Sequence, residues 1–238
     1  MMKNNPAKNY PKHIAIILDG NRRWAKERCL KPWEGHQEGA NKWQDIKNWI
    51  INLDIKEMTL YVFSLQNFQR DKKEVYFLLK IFENTFKKIY NDPDIVKHQV
   101  RIKHIGNFSM LPKSLQNIIT KLDNKTKKYK NHVVNFALGY GGQEEIVEAV
   151  KEIAEKVKKN IINIFDIDTD LINDHLYLKN SPDIIIRTSG ETRTSNFLVF
   201  QQAYSEWFFV EKYWPDFNKN DLQNIIISYQ KRERRYGK

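Results

Sequence analysis

The stretch His13-Ile14-Ala15-Ile16-Ile17-Leu18-Asp19-Gly20-Asn21-Arg22-Arg23-Trp24-Ala25 decides how the chain is read. Its first half is an apolar, β-branched run of the kind that forms a strand buried on both faces. The run stops at Asp19-Gly20-Asn21. Gly20 permits a tight turn and close backbone approach, and Arg22 to Lys26 have good helix propensity, so the segment predicts strand, turn and helix start. The free N–H groups of a helix start favour an anion, Arg22 and Arg23 add positive charge, and Asp19 can hold a hard cation against that anion. The combination predicts a metal-bound phosphate. Taken alone, Asp19-Gly20-Asn21 is also simply a turn, because Asp, Gly and Asn dominate turns for local reasons.

Neither Gly-x-Gly-x-x-Gly nor Gly-x-x-x-x-Gly-Lys-Ser/Thr follows the strand, which argues against dinucleotide and P-loop sites. An aspartyl-phosphatase motif needs a second Asp two residues before Asp19, where Ile17 stands. At 238 residues the chain can build one sizeable core, so a single domain over 1–238 is expected, with 1–11 flexible. Lys plus Arg number 40 against 29 acidic residues, and the net charge of +11 favours an anionic partner: nucleic acid, an anionic membrane surface or a phosphorylated substrate. Cys29 is alone, which excludes an intrachain disulfide and fits a reducing compartment. The first residues lack the apolar core of a signal peptide and no apolar run approaches a membrane span, so a soluble, cytoplasmic protein is expected.

Helical spacing of Ala40, Trp43, Ile46, Trp49, Ile50 and Leu53 predicts an amphipathic helix over 39–53. Met58 to Phe63 reads as the next buried strand. A long helix is predicted over 72–90, with Val75 to Leu79, Ile81 and Phe82 making its first half apolar nearly all round. Strands over 100–105, 133–138, 183–187 and 203–210 alternate with helices over 112–129, 144–157 and 221–235. That alternation predicts an α/β fold with a central, mostly parallel sheet flanked by helices. The lysines between Lys121 and Lys130 and the arginines near the end read most simply as solvated helix faces, and no nucleic-acid-binding motif is present.

The opening stretch and four later motifs, in order, resemble the cis-prenyltransferases of the undecaprenyl diphosphate synthase type. After Asp19-Gly20-Asn21-x-Arg23-Trp24-Ala25 come Gly35-His36-x-x-Gly39, Thr59-Leu60-Tyr61-x-Phe63-Ser64-x-x-Asn67-Phe68-x-Arg70, and Asn135-x-Ala137-x-Gly139-Tyr140-Gly141-Gly142. The last runs from Asp183 through Arg187-Thr188-Ser189-Gly190-Glu191-x-Arg193-x-Ser195-Asn196-Phe197-Leu198 to Gln201, Glu206 and Trp214-Pro215-Asp216-Phe217. The likeness covers roughly residues 10 to 237, and chance agreement of five ordered motifs is far rarer than of one.

The resemblance implies chain elongation of an allylic prenyl diphosphate primer, farnesyl or geranylgeranyl diphosphate, by isopentenyl diphosphate to give a polyprenyl diphosphate carrier lipid. It implies that Asp19 holds Mg²⁺ with Glu206, and that Gly20, Asn21, Arg22, Arg23 and Trp24 lie at the allylic diphosphate. Arg70, Arg187, Arg193 and Ser195 would clamp isopentenyl diphosphate, because guanidinium forks match phosphate oxygens. His36, Ser64, Asn67 and Phe68 match further substrate positions. A hydrophobic tunnel between sheet and helices is implied, walled by the 72–90 helix, with release at a membrane or detergent surface. A homodimer is implied in which Arg235 and Gly237 approach the partner's site. Leu18, Phe68, Asp71 and Ser189 depart from commoner family residues. Pro32 stands where bacterial members often carry Arg, and Thr192 where some carry His. Two other functions compete: a catalytically idle subunit that binds another prenyltransferase, against which Asp19 and the paired arginines argue, and a basic nucleic-acid-binding protein.

Overall fold

The computed structural model describes residues 10–232. Six parallel strands form one sheet in the order β3-β4-β2-β1-β5-β6. In chain order they are β1 (His13–Ile17), β2 (Glu57–Ser64), β3 (Val100–Ile105), β4 (His132–Tyr140), β5 (Ile184–Thr188) and β6 (Glu206–Val210). The central strands β1 and β5 are buried along their whole length, as expected of apolar runs covered on both faces. The sheet is therefore wholly parallel, where the sequence predicts it mostly so.

The connecting helices are α1 (Asn21–Glu27), α2 (Pro32–Asn41), α3 (Trp43–Asn52), α4 (Lys72–Asn91), α5 (Pro93–Lys97), α6 (Lys113–Thr126), α7 (Gly142–Lys158), α8 (Thr169–His175) and α9 (Lys219–Gln230). The larger core joins Ile14, Ile16, Met58 and Leu60 of the sheet to α3, α4, α6 and α9. A smaller cluster on the other face holds Ala15, Ile17, Tyr61, Tyr140, Phe197 and Leu198. Alternate residues of each strand thus feed different layers, the period-2 pattern of a pleated strand.

Several expected elements differ. The helix expected over 39–53 is split at Lys42, whose φ of −63° and ψ of −5° end α2 and start α3. The strand expected from Ala203 begins at Glu206, because Gln201–Tyr204 form a 3₁₀ turn and the Ser205 hydroxyl donates to the Pro182 carbonyl at 2.6 Å. Helix α8 has no counterpart among the expected elements. Residues 10 and 11, expected to be flexible, are anchored: the Tyr10 hydroxyl donates to the Leu53 carbonyl at 2.6 Å, and Pro11 is buried. Arg235 and Gly237 lie outside the described residues.

Parallel pairing brings the carboxyl ends of the strands to one edge. Ile17 is level with Tyr61 and Arg187, and Ser64 with Tyr140. The residues that follow these ends converge on one cleft, where open α/β sheets bind ligands. Glu206 is level with Ile184, at the opposite end of the sheet.

Candidate active site

The cleft encloses about 1140 Å³ and is lined by residues from after β1, β2 and β5 together with α1 and α2. Gly20 is in the left-handed region at φ 101°, and a Cβ there would lie 2.6 Å from the Tyr213 ring and 2.9 Å from Ser189 Cβ. Only glycine meets both demands, so the chain turns sharply from β1 into α1. The turn presents the Asp19 carboxylate to the cleft.

Asp19 Oδ2 accepts from Arg187 Nη2 at 2.7 Å, and Oδ1 accepts from the Gly20 N–H at 2.7 Å with Arg23 Nη2 at 3.6 Å. Burial alone would raise the Asp19 carboxyl, but the Arg187 guanidinium, the Gly20 N–H and Arg23 outweigh it and hold it below the usual carboxylate range. Arg187 is nearly fully buried and spends its other nitrogen, Nη1, on Ser195 Oγ at 2.6 Å and on the Arg193 carbonyl. One guanidinium thus fixes the strand end, the carboxylate and the loop that follows β5.

That loop is strained. Ser189, Ser195, Asn196 and Leu198 all have positive φ, between 47° and 83°. Such backbone costs of order 1 kcal/mol per residue and persists only where its surroundings enforce it. Here Phe197 and Leu198 are fully buried, Phe197 stacks on Tyr61 at 4.6 Å, and Asn196 Oδ1 accepts from the Gln143 N–H at 2.9 Å. Ser195 is held at the cleft wall as a result.

The Gly35-His36-x-x-Gly39 motif has a packing cause. A Cβ at Gly35 would lie 2.1 Å from the Asn21 carbonyl oxygen, and one at Gly39 would lie 2.4 Å from Asn21 Oδ1. The two glycines let α2 press against the start of α1. His36 is thereby brought into the cleft, and burial followed by the Arg70 charge lowers its imidazole to about 4, so it is neutral at pH 7. Ser64 and Asn67 cap each other around a 3₁₀ turn, with Ser64 N–H to Asn67 Oδ1 at 3.0 Å and Asn67 N–H to Ser64 Oγ at 3.2 Å. That turn directs Arg70 back towards α2.

Of the residues singled out from the sequence, Asp19, Gly20, Asn21, Arg22, Arg23, His36, Ser64, Asn67, Arg70, Arg187, Arg193 and Ser195 line the cleft. Three do not. Trp24 points away, its indole N–H donating to Asp216 Oδ1 at 2.8 Å beneath Arg28. Phe68 packs edge-on against Phe63 at 4.9 Å in the core. Glu206 pairs with Arg232 at the far end of the sheet, so it cannot share a metal with Asp19 of the same chain. Pro32 lines the cleft, and neighbouring Lys31 places its ammonium 5.2 Å from the centre of the Trp33 ring.

Two further carboxylates stand at the site, Glu191, which lies inside the last motif without a role assigned to it, and Glu74, which lies in none of the motifs. Glu191 pairs with Arg23 Nη1 at 2.9 Å and Arg193 Nη1 at 2.5 Å. Glu74, in the first turn of α4, stands 3.0 Å from Arg70 Nη1, 3.5 Å from His36 Nε2 and 3.8 Å from Arg22 Nε. The i,i+4 spacing of Arg70 and Glu74 was visible in the sequence; the approach of α2 was not.

Below the cleft, an apolar cavity of about 70 Å³ continues between Leu60, Val62 and Phe136 of the sheet and Trp43, Leu78 and Phe86 of the helices. The wall expected from α4 is present in Leu78, Phe82 and Phe86. Part of the apolar surplus of α4 turns outward instead, where Phe77 stacks on Trp33 at 5.1 Å.

Among the described residues no group of three or more His, Cys, Asp or Glu side chains could hold a metal ion. A single ionised carboxylate suits Mg²⁺, which takes one or two carboxylates and completes its shell with substrate phosphate and water. Five arginines around that carboxylate, opening onto an apolar pocket, suit substrates with a diphosphate head and a hydrocarbon body.

Known proteins agree with this chemistry. The family described as putative undecaprenyl diphosphate synthase matches residues 17–237. A tritrans,polycis-undecaprenyl-diphosphate synthase (geranylgeranyl-diphosphate specific) from Pyrococcus abyssi is 47% identical over 230 residues, 96% of this chain and 87% of its own. The enzyme of the same description from Methanocaldococcus jannaschii is 47% identical over 234 residues, 97% of this chain and 84% of its own. Among solved structures, lavandulyl diphosphate synthase from Lavandula x intermedia, in complex with dimethylallyl diphosphate, superposes with a TM-score of 0.92 at 39% identity. That match covers 96% of this chain and 99% of the other. The chain belongs to the undecaprenyl diphosphate synthase family and is a cis-prenyltransferase.

Proposed function

We propose that the cleft joins isopentenyl diphosphate to geranylgeranyl diphosphate and repeats the step to build an undecaprenyl-type carrier lipid. The primer is favoured over farnesyl diphosphate by the names of relatives 43–47% identical. In each cycle the allylic C–O bond breaks, diphosphate leaves with the electron pair, the isopentenyl double bond attacks the allylic carbon, and a proton is lost to form the cis double bond. Asp19 would hold Mg²⁺, which supplies charge neutralisation for the leaving diphosphate. Gly20, Asn21, Arg22 and Arg23 receive the allylic diphosphate; Arg70, Arg187, Arg193 and Ser195 receive that of isopentenyl diphosphate. The observation that carries this assignment is the meeting of Asp19, held ionised by Arg187, with four further arginines at the mouth of an apolar pocket.

The hydrocarbon enters between the sheet and α3 and α4, along the apolar cavity that shares Leu18, Val62 and Leu78 with the cleft. The single sheet supports one catalytic domain. A homodimer is supported by exposed Val147 and Val150 on α7 and by Ile161, Ile164 and Phe165 beyond it, apolar side chains left exposed by the described residues. No described helix is long and apolar enough to cross a membrane. Product release is proposed at a membrane surface, by peripheral contact, because each added isoprene unit holds the product more tightly by about 3–4 kcal/mol if fully buried.

The test is incorporation of labelled isopentenyl diphosphate into butanol-extractable lipid, primed with geranylgeranyl or farnesyl diphosphate, with Mg²⁺ and then with chelator. Metal-dependent incorporation that prefers geranylgeranyl diphosphate is expected. Absence of incorporation from a folded dimer with either primer would refute the assignment and favour an idle subunit.

A further inference from the structure

Glu74 sits among three cationic or protonatable groups, Arg70, His36 and Arg22, contributed by three separate segments. Its side chain is only 12% exposed, so solvent does little to balance its charge. The carboxylate does not face the cleft as its partners do: Arg22, His36 and Arg70 line the cavity, and Glu74 backs them. Arg70 and Arg22 are nonetheless groups assigned above to diphosphates. Arg70 gives Glu74 one nitrogen of its fork at 3.0 Å and Arg22 approaches it as an ion pair at 3.8 Å, so a phosphate that took either guanidinium would compete with that carboxylate.

We propose that Glu74 is an internal counter-anion of the unliganded cleft, holding Arg22, His36 and Arg70 together until an incoming diphosphate takes its place on the arginines. The inference rests on the diphosphate function of the cleft and adds a residue to it. Glu74 touches no substrate and is a positioning residue. It keeps the Arg22 and Arg70 guanidinium groups from repelling one another beside the neutral His36, and it opposes binding by competing for the same arginine donors. Glu191 stands in a similar relation to Arg23 and Arg193, but Arg193 is well exposed and its pair correspondingly screened.

The two possible roles of such a carboxylate give opposite signs. If Glu74 competes with the ligand, Glu74→Gln, which keeps shape and loses charge, tightens binding. If Glu74 orients Arg70 for the ligand, the same change weakens it. The probe is inorganic diphosphate, titrated calorimetrically without Mg²⁺ at about 0.15 M salt, where distant charges are screened. Glu74→Gln is expected to lower Kd by about threefold to tenfold, the scale of a partly exposed ion pair. Glu74→Asp keeps the charge but cannot reach all three partners, and is expected to fall between the two. Glu38→Gln removes one charge from the exposed face of α2, away from the cluster, and is expected to leave Kd unchanged.

Unchanged or weaker binding by folded Glu74→Gln would overturn the proposal, as would equal tightening in Glu38→Gln, which would mark a general field effect. Should Glu74→Gln fail to fold, the Asp variant decides by the same ordering against the parent. Binding is read without turnover. A parent that binds diphosphate but shows no tightening in the variant refutes the role of Glu74 alone; failure of all the proteins to bind refutes the assigned function of the cleft and the inference with it.

Discussion

Replacing Gly35 and Gly39 by alanine separates the stability of the α1–α2 contact from its use in the site. A Cβ at Gly35 would meet the Asn21 carbonyl oxygen at 2.1 Å and Ala25 Cβ at 2.9 Å. The closer atom is backbone, so α2 must retreat by roughly 1 Å before the contact becomes tolerable. At Gly39 the Cβ would meet Asn21 Oδ1 at 2.4 Å and the Trp214 ring at 3.1 Å. That amide oxygen can rotate away. Alanine gains about 1 kcal/mol of helix propensity over glycine at either position, while overpacking costs about 1–3 kcal/mol or somewhat more. Gly35→Ala is therefore expected to lose about 2 kcal/mol, and Gly39→Ala to stay within about 1 kcal/mol of the parent. Activity falls in both, because a misplacement of about 1 Å costs on the order of 100-fold: Gly35→Ala shifts His36 with α2, and Gly39→Ala turns the Asn21 amide. Urea unfolding followed by tryptophan fluorescence measures the first effect, and isopentenyl diphosphate incorporation the second. A Gly35→Ala protein as stable as the parent would refute the backbone contact. Full activity in Gly39→Ala would refute the placement of Asn21.

Asp19→Asn leaves the buried Arg187 without its counter-charge. Breaking a fully buried pair costs about 3–5 kcal/mol, but Asp19 is 28% exposed, so about 1–2 kcal/mol is expected in urea unfolding after discount for screening, with turnover lost; an unchanged midpoint would show that the pair contributes nothing. Glu83 joins α4 to α6, accepting from Lys87, Ser114 and Lys80, which with burial as the opposing effect lower its carboxyl to about 2. Since the native value lies below the unfolded one, its contribution is complete above about pH 4.5 and is lost as pH falls towards 2. The stability gap between the parent and Glu83→Gln should close over that window, and a gap that widens with acid would contradict the assignment.

The parts of the fold that were legible in the sequence are those set by local composition. β1 and β5 are β-branched runs bounded by polar turns, and both are buried throughout. Their direction and the carboxyl-end location of Asp19 and Arg187 followed from the alternation of strands and helices. What was illegible depends on tertiary approach. The motif places Trp24 and Phe68 in the right segments, but which way a ring turns is decided by Asp216 and Phe63, remote in sequence. Glu206 shows the same limit: strand membership was read, but the register with Ile184 decides which end of the sheet it occupies. Glu74 was hidden because its partners come from three segments that only the packing of α2 on α1 and α4 brings together.

Asp19 and Arg187 impose linked demands on the site. Arg187 keeps the carboxyl ionised across neutral pH, so a hard cation would find a ligand with no proton to displace. In return, the carboxylate balances a guanidinium that burial would otherwise make costly. The fork also reaches Ser195 Oγ and the Arg193 carbonyl, which ties the strained 189–198 loop to the same carboxylate. Lysine at position 187 would keep the charge but lose the planar fork, and a single ammonium on a flexible stem does not reproduce both sets of bonds in one fixed geometry. Arg187→Lys is therefore expected to keep Asp19 ionised while releasing Ser195, so that the loss appears in the KM for isopentenyl diphosphate as well as in turnover. If turnover alone fell, the loop would be held by Phe197 and Leu198 without help from the guanidinium, and Arg187 would serve Asp19 only.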